Sequence, residues 1–143
     1  MKICMIGAGY VGLVSGACFA DLGNTVWCMD NNKQKINILN NGSVPFFEPG
    51  LQELVNKNYL AKRLRFTTNL GVAVKNSDII FICVGTPTSK KKKSANLNYV
   101  FNVANEISKY INKFKIIVTK STIPITTGDK IEKIISKKKG KKL

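Results

Sequence analysis

A chain of 143 residues is long enough for one domain with a buried core, but it is short for a two-domain enzyme. No stretch approaches the roughly 20 apolar residues of a membrane span, so we predict no membrane association, and a signal peptide is not expected. The net charge of +15 rests largely on two lysine-rich runs, 90–93 and 137–143, which contain no aromatic residues for base stacking and therefore predict no nucleic-acid partner.

The first predicted unit is a strand, a glycine turn, a helix and a second strand. Residues 2–6 and 25–29 are short apolar runs, and the residues between them suit a helix. The first run leads into Gly7-Ala8-Gly9-Tyr10-Val11-Gly12, and the second ends in Asp30, 18 residues beyond the turn. Together these parts form the fingerprint of a dinucleotide-binding site.

Each part of the fingerprint predicts a physical role. Gly7 permits a tight turn, Gly9 lets backbone N–H groups approach a pyrophosphate, and Gly12 lets the helix pack closely on the strand. The helix N-terminus offers unpaired N–H donors and a positive dipole end to the phosphates. A carboxylate at Asp30 can accept both hydroxyls of an adenosine ribose and would repel the 2′-phosphate of NADP, so we predict NAD as the cofactor. The alternative is a glycine turn with a purely structural role.

The next part of the chain predicts two short helices around a turn-rich stretch. Residues 33–41 carry apolar side chains at helical spacing, and Gly42 suits the end of that helix. Residues 44–51 are rich in turn formers and contain two aromatic residues that we expect to be exposed. Pro49 suits the first turn of the second helix.

Two further strands follow. Residues 65–68 predict an edge strand, after which Thr68 or Asn69 can cap a short helix. Residues 79–84 are apolar without alternation, as expected for a parallel strand covered on both faces. That run ends at Gly85-Thr86-Pro87, and ligands of open α/β sheets bind at such strand ends.

The last third of the chain predicts a polar loop at 90–96, a helix, a fifth strand at 115–119 and a final helix from about residue 127. The apolar face of the first of these helices consists of Leu97, Val100, Ala104, Ile107 and Ile111. In the final helix, Ile131, Ile134 and Ile135 point inward. Strands alternating with helices predict a Rossmann-type α/β fold, a doubly wound parallel sheet of order 3-2-1-4-5 that stops before a sixth strand.

Three strand ends converge on one crevice in this fold: 7–12, 85–87 and 120–124. Thr86 and Thr122 would place hydroxyl groups where a dinucleotide lies. The alternative for each threonine is a hydroxyl that bonds the local backbone in a turn or cap. Because the fingerprint occurs in the same chain, we favour the cofactor role.

The four cysteines have no C-x-x-C spacing and no histidine accompanies them. They are Cys4, Cys18, Cys28 and Cys83. We predict that they are small buried apolar residues in a protein of the reducing cytoplasm, and we expect neither a metal site nor a catalytic thiol among them.

Four motifs resemble the UDP-glucose/GDP-mannose dehydrogenase family, in the family's order and over nearly all of the chain. They are Gly7-Ala8-Gly9-Tyr10-Val11-Gly12-Leu13, Pro45-Phe46-Phe47-Glu48-Pro49-Gly50-Leu51, Val84-Gly85-Thr86-Pro87-Thr88 and Lys120-Ser121-Thr122-Ile123-Pro124. The elements at 48–51 and 120–124 are far more specific than the glycine motif.

The resemblance implies an NAD-dependent, four-electron oxidation in which UDP-glucose becomes UDP-glucuronate by way of an aldehyde bound to a catalytic cysteine. It also implies a UDP-sugar substrate and a homo-oligomeric full-length enzyme. Carried over by position, the cofactor-binding residues are Gly7, Gly9, Tyr10, Val11, Gly12, Asp30, Lys35, Thr86 and Thr122. Thr122 is in addition a candidate for positioning the catalytic water.

The sequence departs from the family's pattern at several points. Residues 89–97 contain lysines where the family has an acidic-glycine pair, and Thr126 stands where a glycine is common. The family continues with a sixth strand, a central helix and a sugar-nucleotide domain that holds the catalytic cysteine. We therefore expect an incomplete NAD-binding domain at 1–136, a lysine-rich tail at 137–143, no substrate domain, and no catalysis by this chain alone.

Two other functions remain open. A sister dehydrogenase acting on GDP-mannose or a UDP-N-acetyl-hexosamine would share these motifs, because the resemblance places substrate selection in the other half of the enzyme. A stand-alone NAD-binding module without catalysis would also keep the fingerprint.

Overall fold

The computed structural model describes residues 1–87 and 96–137, which contain five strands and six helices. The strands are β1 (Lys2–Ile6), β2 (Thr25–Met29), β3 (Leu64–Thr67), β4 (Ile79–Ile82) and β5 (Ile116–Thr119). The helices are α1 (Tyr10–Asp21), α2 (Lys33–Asn40), α3 (Leu51–Leu60), α4 (Leu70–Lys75), α5 (Asn98–Tyr110) and α6 (Thr127–Lys137). Each strand is separated from the next by at least one helix.

The sheet confirms the predicted strand order, β3-β2-β1-β4-β5, and all four strand pairings are parallel. At the carboxyl end of the sheet, Ile6 is in register with Met29 on one side and with Ile82 on the other. Thr67 and Thr119 complete the same row at the two outer strands. The turns that follow the strands therefore share one edge of the sheet.

Helices cover both faces of the sheet. Residues of α1, α2 and α3 bury one face, where Met5 of β1 belongs to the same core as Leu13 of α1. Residues of α4, α5 and α6 bury the other, where Ile6 of β1 belongs to the same core as Ile107 of α5. A strand covered on both faces needs apolar side chains at every position, which explains the uninterrupted apolar runs in the sequence.

Local capping signals correspond to the observed helix ends. The Asn69 side chain accepts a hydrogen bond from the Val72 N–H at 3.0 Å and caps the start of α4. Gly42 follows α2 with a φ of 82°, the left-handed conformation expected just beyond a helix C-terminus.

The segment before α3 differs from the prediction. Pro49 does not lie in the first turn of this helix, because Gly50 has a φ of 75° and α3 begins only at Leu51. A residue in the left-handed region cannot continue a right-handed helix, so Gly50 separates the proline from it. β4 also ends earlier than predicted, at Ile82, whose carbonyl accepts hydrogen bonds from the N–H groups that follow β5.

Most of the predicted polar loop at 90–96 and of the lysine-rich tail at 137–143 lies outside the described residues. Within the described ranges, no helix is long and apolar enough to cross a bilayer.

Candidate functional site

The glycine turn after β1 is held between the ends of two neighbouring strands. Gly7 has a φ of 103°, a conformation that glycine adopts readily and other residues rarely. Its N–H donates to the Met29 carbonyl of β2 at 2.8 Å. On the other side, a Cβ atom at Gly7 would lie 2.8 Å from the Cys83 carbonyl oxygen. This position of the turn therefore has room for glycine only.

Gly9 and Gly12 have different surroundings at the start of α1. A Cβ atom at Gly12 would lie 1.8 Å from the Gly7 carbonyl oxygen, so the helix packs directly on the turn. A Cβ atom at Gly9 would meet no atom of the described residues within 4 Å. Packing within the protein therefore does not require glycine at position 9. A ligand that approaches the backbone closely at this position would require it.

The N-terminus of α1 suits an anion. Gly9 is the N-cap of this 12-residue helix, no side chain caps it, and its first turn contains no acidic residue. The unpaired N–H groups and the positive end of the helix dipole both favour negative charge at this position. The phosphate groups of a dinucleotide fit this end of the helix.

Asp30 lies directly after β2 and is only 8% exposed. The Ala8 N–H of the glycine turn donates to Oδ2 at 2.9 Å, and the Asn32 N–H donates to Oδ1 at 2.9 Å. The Lys35 ammonium forms an ion pair with Oδ2 at 2.7 Å. Burial by itself would raise the pKa of Asp30, but the hydrogen bonds from Lys35, Asn32 and Ala8 outweigh it and lower the pKa below its ordinary value. The carboxylate is therefore ionised at neutral pH and tied to the glycine turn.

The acceptor positions of Asp30 limit how it can bind a diol. An ionised carboxylate has about four such positions, and the three bonds leave one position, on Oδ1, without a donor from residues 1–87 and 96–137. A ribose that donates both hydroxyls needs a second position, which becomes available only when the Lys35 ammonium leaves Oδ2. A flexible lysine side chain can make this exchange and donate to a ribose oxygen instead.

A cleft of about 620 Å³ opens at the carboxyl edge of the sheet. Among the predicted cofactor-binding residues, Gly7, Gly9, Asp30 and Lys35 line it. The structure therefore brings together the glycine turn and the acidic residue that lies 18 residues beyond it in the sequence.

One face of α5 forms another wall of this cleft, and the sequence pattern did not predict it. Tyr99, Asn102, Val103 and Glu106 line the cleft at a spacing of i, i+3, i+4 and i+7. The apolar periodicity of α5 indicates only the neighbouring face, around Val100, which is buried against the sheet. The sequence does contain one signal for this wall. These four residues recur at helical spacing shortly after the motif that ends β4, where a helix borders the ligand-binding edge of the sheet.

Tyr10 and Val11 are exposed and do not line the cleft. The Tyr10 ring stacks on Phe46 with the ring centroids 4.0 Å apart, and its hydroxyl donates to the Phe47 carbonyl at 3.2 Å. These contacts fix the turn-rich segment beside the start of α1. Phe47 is 85% exposed, as expected. Phe46 is half-buried, contrary to expectation, because it packs against Tyr10 and the core.

The two predicted threonines lie after β4 and β5. Thr86 is half-buried between Gly85 and Pro87, both of which line the cleft, whereas Thr122 is exposed and is not a lining residue. Ser121 rather than Thr122 joins the two strand ends, since its hydroxyl donates to the Val84 carbonyl at 2.6 Å. Roles for Thr86 and Thr122 in cofactor binding remain predictions.

The four cysteines form no disulfide. Cys4 and Cys28 are buried and Cys83 is half-buried; burial raises the pKa of Cys4 to about 12 and that of Cys83 to about 11. Cys18 is exposed, so the prediction that all four are buried is wrong for this residue, which lies on the outer side of α1. Within residues 1–87 and 96–137, no three His, Cys, Asp or Glu residues are grouped so that they could bind a metal ion.

Comparison with known proteins assigns this arrangement to one family. A sequence profile described as "UDP-glucose/GDP-mannose dehydrogenase family, NAD binding domain" matches residues 1–143. The chain is 53% identical over 135 residues to the UDP-glucose 6-dehydrogenase of Rhizobium meliloti (strain 1021), covering 94% of this chain and 31% of that protein. It is 51% identical over 136 residues to the UDP-glucose 6-dehydrogenase TuaD of Bacillus subtilis (strain 168), covering 95% of this chain and 29% of that protein.

A solved structure supports the same relationship. The GDP-mannose dehydrogenase of Pseudomonas aeruginosa, crystallised as a ternary complex, superposes with a TM-score of 0.93 at 36% sequence identity. The match covers 99% of this chain and 33% of that one. This chain therefore spans about a third of the length of the relatives that it matches.

Proposed function

The chain belongs to the UDP-glucose/GDP-mannose dehydrogenase family, and we propose that it is the NAD-binding part of an enzyme that oxidises UDP-glucose to UDP-glucuronate. The observation that carries the proposal is the single cleft in which the glycine turn, the N-terminus of α1 and the Asp30 carboxylate meet. NAD, when bound, accepts the hydride that leaves the sugar alcohol.

The residues of the cleft have separate roles in this proposal. The backbone around Gly9 and the N-terminus of α1 bind the pyrophosphate, while Asp30 and Lys35 bind the adenosine ribose. Tyr10 and Val11 act through the glycine turn. Thr86 and Thr122 lie on the nicotinamide side, and Thr122 positions the water that hydrolyses the enzyme-bound intermediate.

Asp30 also supports NAD over NADP. Its carboxylate is ionised, buried and fixed to Ala8, so it cannot move away from a 2′-phosphate on the adenosine ribose. Two negative groups in contact cost several kcal/mol. Lys35 carries a single positive charge, which would have to balance both the Asp30 carboxylate and the phosphate.

Four further parts of the proposal concern the protein beyond this cleft. The predicted domain boundary at residue 136 falls within α6, which ends at Lys137, so the NAD-binding domain includes the whole of this helix. The catalytic cysteine, the UDP-sugar site and the contacts of a homo-oligomer belong to the full-length enzyme. The chain resides in the cytoplasm, which its unpaired cysteines support.

Cys4, Cys28 and Cys83 do not act as nucleophiles, because burial raises the pKa of each thiol.

Isothermal titration calorimetry of the 143-residue chain tests the NAD-binding role. We expect NAD to bind at least about tenfold more tightly than NADP, because the 2′-phosphate meets the Asp30 carboxylate. UDP-glucose should give no heat of binding, and NAD with UDP-glucose should give no NADH absorbance. Equal affinity for NAD and NADP, or no binding of either, would contradict the proposal.

A sister dehydrogenase is the second candidate, favoured by the close superposition on the GDP-mannose enzyme. The higher identity to the two UDP-glucose 6-dehydrogenases supports UDP-glucose as the substrate instead. Steady-state rates of the full-length enzyme with UDP-glucose, GDP-mannose and UDP-N-acetyl-mannosamine decide between them. A higher kcat/KM for either of the other sugar nucleotides would contradict the proposed substrate.

A further inference from the structure

The segment that follows β4 has few contacts of its own. At its start, the Cys83 N–H donates to the last carbonyl of β1 at 2.8 Å, and at its other end the Pro87 carbonyl accepts from the Asn96 N–H at 2.8 Å. A Cβ atom at Gly85 would meet no atom of the described residues within 4 Å. Because glycine adds conformational freedom to the backbone, residues 84–86 need a further contact to keep a single position.

The Ser121 hydroxyl supplies this contact. It donates to the Val84 carbonyl at 2.6 Å, and no other hydrogen bond joins residues 84–86 to the rest of the described chain. The Ser121 N–H donates to the Ile82 carbonyl at 3.2 Å, so the end of β4 fixes the serine in turn. Ser121 is half-buried and does not line the cleft, whereas Val84 does. The serine therefore acts on the cleft through the backbone of Val84.

Two side chains thus connect neighbouring strand ends along the carboxyl edge of the sheet. The Asp30 carboxylate accepts from the Ala8 N–H and joins the turn after β2 to the turn after β1. The Ser121 hydroxyl joins the turn after β5 to the segment after β4. In the strand order β2-β1-β4-β5, these two bonds lie on opposite sides of the glycine turn and of the start of α1. Each bond fixes one half of the edge.

A dinucleotide bound along this edge has one half on each side of the glycine turn. With its adenosine ribose at Asp30 and its pyrophosphate at the start of α1, its second nucleoside continues in the strand order towards β4 and β5. There, Thr86 lies two residues beyond Val84, and Thr122 directly follows Ser121. The bond between Ser121 and Val84 therefore sets the position of one threonine relative to the other.

We infer that Ser121 is a positioning residue of the cofactor site, whose hydroxyl holds residues 84–86 so that Thr86 and Thr122 meet the nicotinamide nucleoside of NAD together. The inference rests on the proposed binding of NAD in this cleft. It gives Ser121 a role that acts through the Val84 carbonyl and needs no contact with the cofactor. Loss of the hydroxyl should weaken the contacts to the nicotinamide half and leave those to the adenosine half unchanged.

Calorimetry of the 143-residue chain with NAD and with ADP tests this inference. ADP keeps the adenosine ribose and both phosphate groups of NAD and lacks the nicotinamide nucleoside. In Ser121→Ala, the Kd for NAD should rise at least about threefold, while the Kd for ADP should change by less than about 1.5-fold, because one lost hydrogen bond frees only the segment after β4.

Two variants control the measurement. Ser121→Thr keeps a hydroxyl group at this position and should bind NAD within about twofold of the wild-type chain. Ser108→Ala removes a buried hydroxyl that also donates to a backbone carbonyl, at 2.7 Å, but lies outside the cleft. This variant should lower the free energy of unfolding, measured with urea, and change neither Kd by more than about 1.5-fold. It separates a loss of stability from a loss of positioning.

The outcomes separate the inference from the proposed function. An unchanged Kd for NAD in folded Ser121→Ala, or an equal rise of both Kd values, would overturn the inference and leave NAD binding intact. A folded Ser121→Thr chain that binds NAD as weakly as Ser121→Ala would overturn it as well, since the hydroxyl would not be the cause. Failure of the folded wild-type chain to bind NAD would overturn the proposed function together with the inference.

Discussion

Gly9 and Gly12 lie three residues apart in the glycine turn, yet a side chain at each would meet different surroundings. At Gly12 an added methyl group would collide with the backbone carbonyl of Gly7, which cannot move without displacing the end of β1. At Gly9 the same methyl group would enter the open cleft. One glycine is thus required for folding and the other for access to the cleft.

Alanine at the two positions should separate these roles. Gly12→Ala should lower the free energy of unfolding by about 2 kcal/mol or more, because overpacking forces the backbone to shift. Gly9→Ala should change that free energy by less than about 1 kcal/mol, since its φ of −81° suits alanine, but should weaken NAD binding at least about tenfold. Urea unfolding and calorimetry measure the two effects; equal loss of stability in both variants would refute the distinction.

Asp30 should make the stability of the chain depend on pH in the acid range. The folded chain holds the pKa of this carboxyl below the ordinary value of 3.8, which the unfolded chain retains. Above 3.8 both states are ionised and the hydrogen bonds of Asp30 contribute fully. As the pH falls below that value, the unfolded state takes up a proton first, so this contribution is lost.

Asp30→Asn tests this dependence. The variant should be less stable than the wild-type chain near neutral pH, and the difference in unfolding free energy should shrink as the pH falls from about 6 to about 3. Urea unfolding at a series of pH values measures it. Parallel pH profiles of the two proteins would show that Asp30 does not contribute in this way.

At the scale of elements, the buried side chain of Asn58 joins α1, α3 and the start of β3. Its Nδ2 donates to Asp21 Oδ1 at 3.2 Å at the end of α1, and its Oδ1 accepts from Arg63 Nε at 3.0 Å. Arg63 Nε also donates to the Ala20 carbonyl at 3.1 Å, while Lys57 pairs with Asp21. Side-chain bonds thus fix where the edge strand begins relative to two helices.

Removing this amide should loosen all three elements. Asn58→Ala should lower the free energy of unfolding by about 2 kcal/mol, because the hydrogen bonds that the buried amide makes to Asp21, Leu54 and Arg63 are lost. Asn37→Ala, at an exposed position of α2, is the matched control and should cost less than about 0.5 kcal/mol. If the two variants unfolded at the same urea concentration, the network would have no net stabilising effect.

At the scale of the molecule, the outer edge of β5 is an apolar edge of the sheet. β5 pairs only with β4 in the described part of the chain. Beside it, a groove of about 480 Å³ is lined by Phe114, Ile117, Ile131 and Ile135 among others. Phe114 is 76% exposed and Ile116 is 49% exposed. An apolar strand edge of this kind favours association with other chains.

We therefore expect the 143-residue chain to self-associate as its concentration rises, and Ile116→Lys to reduce this association by placing a charge on the edge. Ile38→Lys, at a position of α2 with a similar exposed fraction of 40%, is the control and should associate like the wild-type chain. Sedimentation velocity measures the association. A monomeric wild-type chain at all concentrations would contradict this prediction.

The fold, the strand order and the cofactor could be predicted from the sequence, because each depends on local or repeating signals. Uninterrupted apolar runs mark strands covered on both faces, and their alternation with helices leaves a parallel sheet with few possible orders. The glycine turn and Asp30 are separated by one complete βαβ unit, whose geometry places them together wherever it occurs.

The other side chains that share the cleft could be identified only from the packing of the folded chain. Glu106 and Asn102 look like solvent-exposed helix residues, because hydrophobic periodicity reports burial against the sheet and cannot distinguish a polar cleft wall from a polar surface. The same limit applies to Phe46, whose burial depends on Tyr10 from a distant part of the sequence. Contacts across the carboxyl edge arise from the packing of α4, α5 and the strand ends.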